Sequence, residues 1–286
     1  MKKKYYYNEN SFQEPISSEA LYWLGFLYAD GCMFKRKTGD SFVCNLALSQ
    51  NDKSHVEKFK NFINTNKPIG MYKNAASGLA SLSINNKIIT SRLLKLGLIP
   101  RKSLIIQFPK FLDNNPNVNH FIRGYFDGDG CICEKKDKNK THLHFTIVGT
   151  SNMMEKFMDI FVKELNIFRR KIIQNGKVYN LHINRTEDIK KVRQFLYKDA
   201  TVFMDRKKLI FDNHTELKFA TTSRYKSICK STDRKTWRAL YYDQNGKRKE
   251  KSCLKSEEEA YNFLKNLPLG CKIGRASCRE RVCQYV

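Results

Sequence analysis

Two aspartates, Asp30 and Asp129, stand 99 residues apart in closely similar settings. Each lies near the end of an apolar stretch, WLGFLYADG at residues 23–31 and IRGYFDGDG at residues 122–130. A carboxylate in the last turn of a helix faces the negative end of the helix dipole, and two such carboxylates brought together also repel each other. A divalent cation between them would offset both costs, and hard oxygen ligands suit Mg²⁺. The pair therefore predicts a metal-dependent site.

Small residues in both stretches predict that the two helices touch. Gly25 and Ala29 lie four residues apart in the first stretch, and Gly124 and Gly128 lie four apart in the second. Residues four apart share one helix face, and small residues there allow two backbones to approach closely. We expect the helices to pack through these faces. We expect the glycine after each aspartate to end its helix in the left-handed conformation.

These paired stretches resemble the motifs of LAGLIDADG homing endonucleases in their two-motif, single-chain form. The resemblance covers about residues 15–215 and departs from the motif at Tyr28, where an acidic residue is usual and the second copy keeps Asp127. It implies site-specific cleavage of double-stranded DNA with Mg²⁺, or alternatively Mn²⁺, by a monomer that promotes mobility of its own gene, free-standing or within an intron. The implied metal ligands are Asp30 and Asp129 with the backbone carbonyls of Ala29 and Gly128.

The same order of patterns follows both motifs. Residues 42–48 alternate between apolar and other side chains, as in a half-buried strand, and residues 52–64 carry apolar side chains on one helical face. We predict an α+β fold of two pseudo-symmetric αββαββα repeats, whose antiparallel sheets form a saddle and whose motif helices lie on the axis. The expected divisions are a mobile segment at 1–16, a first repeat at 17–112 and a second repeat at 113–218.

An Arg-Lys pair precedes an apolar run after the closing helix of each repeat, in PRKS and DRKK. The resemblance implies basic residues around the site that hold water and offset charge. We assign this role to Lys102 and Lys207, with Lys208 as the alternative to Lys207. The competing interpretation is that these are ordinary surface lysines.

A polar residue, Gln50, ends the second predicted strand of the first repeat. It resembles the water-positioning residue of the family, and we include it among the candidate catalytic residues. The corresponding place in the second repeat falls near Gly149, so the two half-sites are expected to be unequal.

The chain is strongly basic, with 53 Lys and Arg against 28 Asp and Glu, a net charge of +25 and a pI near 9.7. This balance indicates a polyanionic partner, first of all nucleic acid, although codon bias could supply part of it. The open face of each sheet could enter the DNA major groove, which admits a two-stranded ribbon. For each basic residue the alternative is a solvated surface position. The candidate DNA-contacting residues of the repeats are Lys35, Arg36, Lys37, Lys73, Lys135, Lys136, Lys138, Lys140, Arg169, Arg170, Lys171 and Arg185.

Residues 224–268 are predicted to form a separate small domain of three strands and a helix that Ser256 caps. With W-R-A before the second turn and E-E-A-Y in the helix, this segment resembles the plant ethylene-response-factor type of DNA-binding domain, which reads DNA with its sheet. The alternative is a generic basic accessory element. Residues 271–286 resemble translated sequencing-adapter read-through and are set aside. The residues implied on or near the DNA-reading face are Arg224, Lys226, Lys230, Arg234, Lys235, Trp237 and Arg238.

Hydropathy and cysteine spacing bear on membrane binding, localisation and zinc binding. The chain has no apolar run of about 18 residues and no apolar core of a signal peptide, so we expect no membrane partner. We expect it in the cytoplasm, or in an organelle or phage-infected host compartment that contains the target DNA. Its nine cysteines are scattered and predict reduced thiols without zinc.

Two further functions fit the same scaffold. One is a non-enzymatic maturase that binds intron RNA, and the other is a non-catalytic DNA-binding regulator. Neither needs the two motif aspartates, so the presence of both favours cleavage.

Overall fold

The chain divides into two compact units, Met1–Leu217 and Lys218–Val286, which are described separately. No helix in the described part of the chain has the length and apolar character needed to cross a membrane. The computed structural model describes residues 5–36, 40–73, 78–137, 140–213, 227–230, 235–268 and 271–273.

The first unit contains two repeats with the same element order, which confirms the predicted sequence of helix, two strands, helix, two strands, helix. The first repeat consists of α1 (Ser18–Asp30), β1 (Gly31–Lys35), β2 (Phe42–Ser49), α2 (Lys53–Phe62), β3 (Gly70–Tyr72), β4 (Leu79–Ile84) and α3 (Lys87–Lys95). The second consists of α4 (Val118–Asp129), β5 (Gly130–Asp137), β6 (Lys140–Gly149), α5 (Ser151–Leu165), β7 (Ile173–Asn175), β8 (Val178–Ile183) and α6 (Thr186–Tyr197). A further helix, α7 (Asp205–Asn213), follows the second repeat.

Each repeat forms one antiparallel sheet, with strand orders β1-β2-β4-β3 and β5-β6-β8-β7. The registers correspond, because Gly31 pairs with Leu46 in the first sheet and Gly130 pairs with Ile147 in the second. Leu46 and Ile147 are buried with the apolar side chains of the helices, as the period-two pattern predicted. The predicted α+β class with antiparallel sheets is confirmed.

The two motif helices, α1 and α4, pack directly on each other. A Cβ atom on Gly25 would overlap the carbonyl oxygen of Phe121, and one on Gly124 would overlap the carbonyl oxygen of Tyr22. The contact continues at Gly128, where an added Cβ would overlap the side chain of the first helix. These contacts advance in the same direction along both helices, so α1 and α4 run parallel and their carboxyl ends lie together.

The glycines that follow the motif aspartates are not left-handed, and that prediction is wrong. Gly31 has φ −70° and Gly130 has φ −104°, both in the extended region. Each is the first residue of a strand, and an added Cβ would overlap the carbonyl oxygen of Leu27 or Phe126. Glycine is needed here because the chain passes from helix to strand against the preceding turn.

The N-terminal segment, predicted to be mobile over residues 1–16, packs onto the first repeat in its described part. Phe12 is 2% exposed and meets Phe62 edge to face, with ring centroids 5.2 Å apart. The backbone N–H of Asn8 donates to the carbonyl of Ile63 at 2.9 Å. Burial of aromatic side chains thus fixes a segment that its polar composition assigned to solvent.

The second unit contains the three predicted strands and the capped helix. Its hydrophobic cluster lies between the sheet and the helix, and the Ser256 hydroxyl accepts a hydrogen bond from the Glu259 N–H at 3.0 Å. A two-residue strand from the stretch set aside as read-through also pairs with the central strand. The elements are β9 (Ile228–Lys230), β10 (Trp237–Tyr242), β11 (Arg248–Leu254), α8 (Glu257–Lys265) and β12 (Lys272–Ile273).

Replacement of Gly124 by alanine tests the direct helix contact. Gly→Ala inside a helix ordinarily stabilises a protein by about 0.5–1 kcal/mol, but here the new methyl group would overlap backbone. We expect Gly124→Ala to lower the free energy of unfolding in urea by about 1–3 kcal/mol. Gly176→Asn is the control, because that turn is open and Asn tolerates its φ of +59°. A stabilised Gly124→Ala variant would contradict the packing.

Candidate functional site

The two motif carboxylates, Asp30 and Asp129, lie at the adjoining ends of α1 and α4. Both residues are exposed, while the packed helices remove water from one side of each carboxylate. This desolvation, followed by the negative charge of Asp30, raises the pKa of Asp129 to about 6. Desolvation also raises the pKa of Asp30, against the lowering influence of nearby lysines. The structure thus brings the two predicted carboxylates into one electrostatic environment.

Both predicted lysines reach the ends of the motif helices. The ammonium group of Lys102 donates to the carbonyl oxygen of Ala29. The ammonium group of Lys207 donates to the carbonyl oxygens of Phe126 and Asp127, each at 2.7 Å, to that of Gly130 at 2.5 Å, and more weakly to that of the intervening Gly128 at 3.4 Å. The last carbonyls of a helix lack intrahelical partners, so each lysine completes the hydrogen bonding of one motif helix.

The burial of these lysines distinguishes them from surface positions. Lys102 is 7% exposed and Lys207 is 3% exposed. Desolvation lowers the pKa of Lys102, while Asp129 and Asp30 oppose the shift. Desolvation likewise lowers the pKa of Lys207 to about 8. Lys208, the alternative, pairs instead with Asp212 at 2.6 Å on the same helix, so the geometry favours Lys207.

Two residues before each motif aspartate, a buried side chain forms a hydrogen bond with the chain segment that precedes Lys102 or Lys207. In the first repeat the hydroxyl of Tyr28 donates to the carbonyl of Leu96 at 2.7 Å, just after α3. The next residue, Gly97, has φ +94°, and an added Cβ there would overlap the Tyr28 hydroxyl. In the second repeat a carboxylate oxygen of Asp127 accepts from the backbone N–H of Met204 at 2.8 Å, directly before α7. The departure of Tyr28 from the motif therefore preserves this contact by different chemistry.

A buried polar network joins the repeats around Asp127. The hydroxyl of Tyr22, in α1, donates to Asp127, in α4, at 2.8 Å. Since that hydroxyl has one proton, its 2.9 Å contact with Nε2 of His55 makes the imidazole the donor. Burial lowers the pKa of His55 to about 3 and raises that of Asp127 to about 6. Arg123 closes the network by donating to backbone carbonyls and lying over the Tyr22 ring. The sequence pattern does not predict this network, although Asp127 is the acidic residue of the second motif.

The candidate Gln50 begins a short turn after β2 and is exposed. It lies four residues beyond Leu46, the strand partner of Gly31. The same count from Ile147, the partner of Gly130, reaches Ser151. The expected counterpart near Gly149 is therefore corrected to Ser151, because the β5–β6 hairpin has two more residues between these register partners than the β1–β2 hairpin. The half-sites remain unequal, with an amide in one and a hydroxyl in the other.

Six of the candidate DNA-contacting residues of the repeats are exposed. One of them, Lys35, forms an ion pair with Asp40 at 2.8 Å, and both side chains are more than half exposed, so the pair is weak. Lys37 and Lys138 lie outside the described residues, as do the side chains of Lys136 and Lys140. The exposed candidates are Lys35, Arg36, Lys73, Lys135, Arg169 and Lys171.

Three predicted arginines form ion pairs with acidic side chains of the helices α5 and α6. Arg169 pairs with Glu155 at 2.7 Å and with a second carboxylate of α5. Arg170 pairs with Asp188 of α6 at 2.9 Å, and Arg185 lies 3.9 Å from the same aspartate. These acidic partners, which the sequence order does not reveal, offset the charge of the three arginines, and their assignment to DNA stays a prediction.

The C-terminal candidates divide in a similar way. Trp237 is partly buried and packs on the hydrophobic cluster beside α8, and its expected place on or near a DNA-reading face stays a prediction. Arg238 forms an ion pair with Glu250 of the neighbouring strand at 3.4 Å, and Lys235 is exposed. Outside the described residues lie Arg224, Lys226 and Arg234, together with the side chain of Lys230.

Comparison with known proteins finds a family similarity within the second repeat. Residues 117–196 match the family model described as a LAGLIDADG-like domain. Among solved structures, the LAGLIDADG meganuclease I-AabMI bound to uncleaved DNA is similar over 69% of this chain and 88% of that chain, with 13% identity and a TM-score of 0.48. The LAGLIDADG homing endonuclease I-GzeII in complex with its DNA target is similar over 67% and 87%, with 15% identity and a TM-score of 0.47. No curated protein matches.

The Tyr28 contact predicts a local effect on the segment that carries Lys102. Tyr28→Phe removes one buried hydrogen bond and should lower the free energy of unfolding by about 1 kcal/mol. Tyr125→Phe is a matched control, because its hydroxyl also donates to a backbone carbonyl, that of Val148, at 3.2 Å. Hydrogen exchange at residues 96–104 should accelerate in Tyr28→Phe only. Equal acceleration in both variants would contradict the anchoring role.

Proposed function

We propose that this chain is a site-specific double-strand DNA endonuclease whose motif aspartates, Asp30 and Asp129, hold a divalent metal ion. The observation that carries the proposal is the meeting of two parallel helices whose carboxylates share one environment at their ends. Such an arrangement has an electrostatic cost in the protein alone, since Asp30 raises the pKa of Asp129. The LAGLIDADG-like domain that contains the second aspartate supports the same function.

The donor set suits a hard cation. The site offers two carboxylates and the backbone carbonyl oxygens of Ala29 and Gly128. Each carbonyl oxygen has two lone pairs, so it can accept a hydrogen bond from a lysine and still bind a metal ion. Gly128 has no Cβ, and one built there would lie 3.2 Å from Oδ2 of Asp30. The described residues contain no group of three or more His, Cys, Asp or Glu side chains at metal-binding distances. Oxygen donors with open positions fit Mg²⁺, with Mn²⁺ as the alternative.

The chain's own residues would orient and neutralise the reacting phosphodiester. Lys102 and Lys207 are held by backbone carbonyls, so their positive charges stay beside the carboxylates without a change of conformation. Preorganised charge of this kind stabilises developing negative charge at low reorganisation cost. Gln50, at the edge of the first half-site, would orient a water molecule. The bound metal would activate that water and stabilise the leaving oxygen.

Double-stranded DNA is the proposed partner. The net charge of +25 supplies the sequence-independent attraction, and the open face of each antiparallel sheet suits the major groove. We propose that the second unit adds a DNA contact in the manner of ethylene-response-factor domains, supported by its three strands, its helix and the exposed basic side chains of β11. Because one chain carries both half-sites, we propose a monomer that promotes mobility of its own gene.

Cleavage of a DNA library by the purified chain tests the enzyme directly. With Mg²⁺ we expect discrete cut sites for the wild type and none for the Asp30→Asn, Asp129→Asn double variant, which should still bind DNA. Loss of the ligands removes the activated water without removing the basic surface. Tight binding without cutting in Mg²⁺ or Mn²⁺, with the variant unchanged, would contradict the proposal and favour the RNA maturase or the DNA-binding regulator.

Thermal unfolding tests the metal site without relying on activity. Ligand binding to the folded state adds about 2.7 kcal/mol at one hundred times Kd, so the wild-type Tm should rise with Mg²⁺. Asp30→Asn should raise the Tm in the absence of metal, because the repulsion is relieved, and should lose the response to Mg²⁺. Asp40→Asn is the control, since it removes an exposed carboxylate elsewhere. An equal Mg²⁺ response in all three proteins would rule out binding at the aspartates.

A further inference from the structure

Two histidines and a threonine form a cluster on the open face of the second sheet. His144 and Thr146 alternate along β6 with the buried Phe145 and Ile147, so they point away from the helices. His182 lies in the adjacent strand β8 and pairs directly with Thr146. The three side chains therefore share the surface that the proposed function assigns to DNA.

The threonine hydroxyl connects the two imidazole rings. Its Oγ1 atom lies 3.2 Å from Nδ1 of His144 and 2.9 Å from Nδ1 of His182. The ring centroids are 5.2 Å apart. Within the described residues, neither Nε2 atom makes a hydrogen bond, so each remains available to a ligand on the open face.

One hydroxyl proton imposes opposite tautomers on two neutral rings. Thr146 can donate to one Nδ1 and must accept from an Nδ1–H of the other ring. The first ring then carries its proton on Nε2, and the second leaves its Nε2 lone pair free. The pair therefore presents one donor and one acceptor, side by side, to whatever covers this face.

The surroundings keep the rings neutral at neutral pH. Burial lowers the pKa of both histidines, and the positive charge of Lys135 lowers each further. Two thiols from β5, Cys131 and Cys133, and the neutral Asn180 from β8 also lie on this face. Earlier in β6, the backbone of His142 pairs with that of Lys135. No acidic side chain of the described residues faces the cluster to favour protonation.

We propose that His144, Thr146 and His182 read one base pair of the DNA target through the two Nε2 atoms. This inference rests on the proposed DNA-binding function and identifies part of its specificity. Neutral rings offer a donor beside an acceptor, which matches adenine N7 and N6 in the major groove. Doubly protonated rings offer two donors, which match the adjacent N7 and O6 acceptors of guanine. The preference at this position therefore moves towards guanine as the pH falls.

The first repeat supplies an internal comparison. Asn45 pairs with Ser83 at the register position equivalent to Thr146 and His182. Neither of these side chains titrates near neutral pH, so the base preferences of the first half-site should be independent of pH. A general strengthening of DNA binding in acid would act on both half-sites equally and is thereby distinguished from base reading.

Selection from a random double-stranded DNA library tests the inference with the full chain in EDTA, at pH 8 and pH 5.5. We expect one target position in one half-site to gain guanine by about fivefold or more at the lower pH, the effect of one bidentate contact. His144→Gln and His182→Gln should abolish that change and leave the other positions intact. Thr146→Val should lose the preference at pH 8 but keep the guanine preference at pH 5.5, because two protonated rings need no tautomer control.

His142→Gln is the matched control, since it removes an imidazole from the same strand without altering the Thr146 hydrogen bonds, and it should behave as the wild type. A selected site with no pH-dependent position, or one whose change persists in both histidine variants, would overturn the inference and leave the endonuclease proposal standing. Absence of any selected sequence at either pH would overturn both. Specific binding with the pH-dependent position, but without cleavage in Mg²⁺, would support base reading and contradict only the nuclease.

Discussion

The direct contact between α1 and α4 is the constraint on which the rest of the first unit depends. Gly25 and Gly124 let each helix press against the backbone of the other, so the helices cannot separate or rotate without losing a long apolar interface. Because the helices are parallel, that contact also places Asp30 beside Asp129. The site is therefore a consequence of core packing, and its electrostatic cost is offset by the burial around it.

Two buried lysines offset the electrostatic repulsion that this packing creates. Parallel helices bring two negative dipole ends together, and the carboxylates add to them. Lys102 and Lys207 place ammonium groups on the exposed carbonyls of those ends, where Tyr28 and Asp127 hold the preceding segments. The same side chains thus stabilise the helix ends and supply positive charge to the site, which explains why two lysines remain buried in a chain with so many exposed ones.

Features encoded by local pattern were predictable, and those that depend on tertiary partners were not. Small residues four apart predicted the helix contact, and period-two alternation predicted the strands, because one element determines each pattern. The ion pairs of Arg169 and the packing of Trp237 on its hydrophobic cluster were not predicted, since their partners lie on other elements. The counterpart of Gln50 was placed two residues too early because a two-residue difference in hairpin length is invisible without strand register. The alternation of His144 and Thr146 along one strand can be read from the sequence. Their proximity to His182 cannot, because it depends on β6 and β8 being neighbours in the sheet.

Fusion of two repeats in one chain removes the need for the halves to be identical, and the side chains show where they have diverged. Packing positions keep their chemistry, with glycine or alanine at the helix contact and a lysine beneath each helix end. Positions on the open faces differ, as in Asn45 and Ser83 against Thr146 and His182. A homodimer would impose one set of groove-facing side chains on both halves of its target. In the proposed DNA complex, divergence on the open faces would let a single chain keep one rigid site and recognise two different half-site sequences.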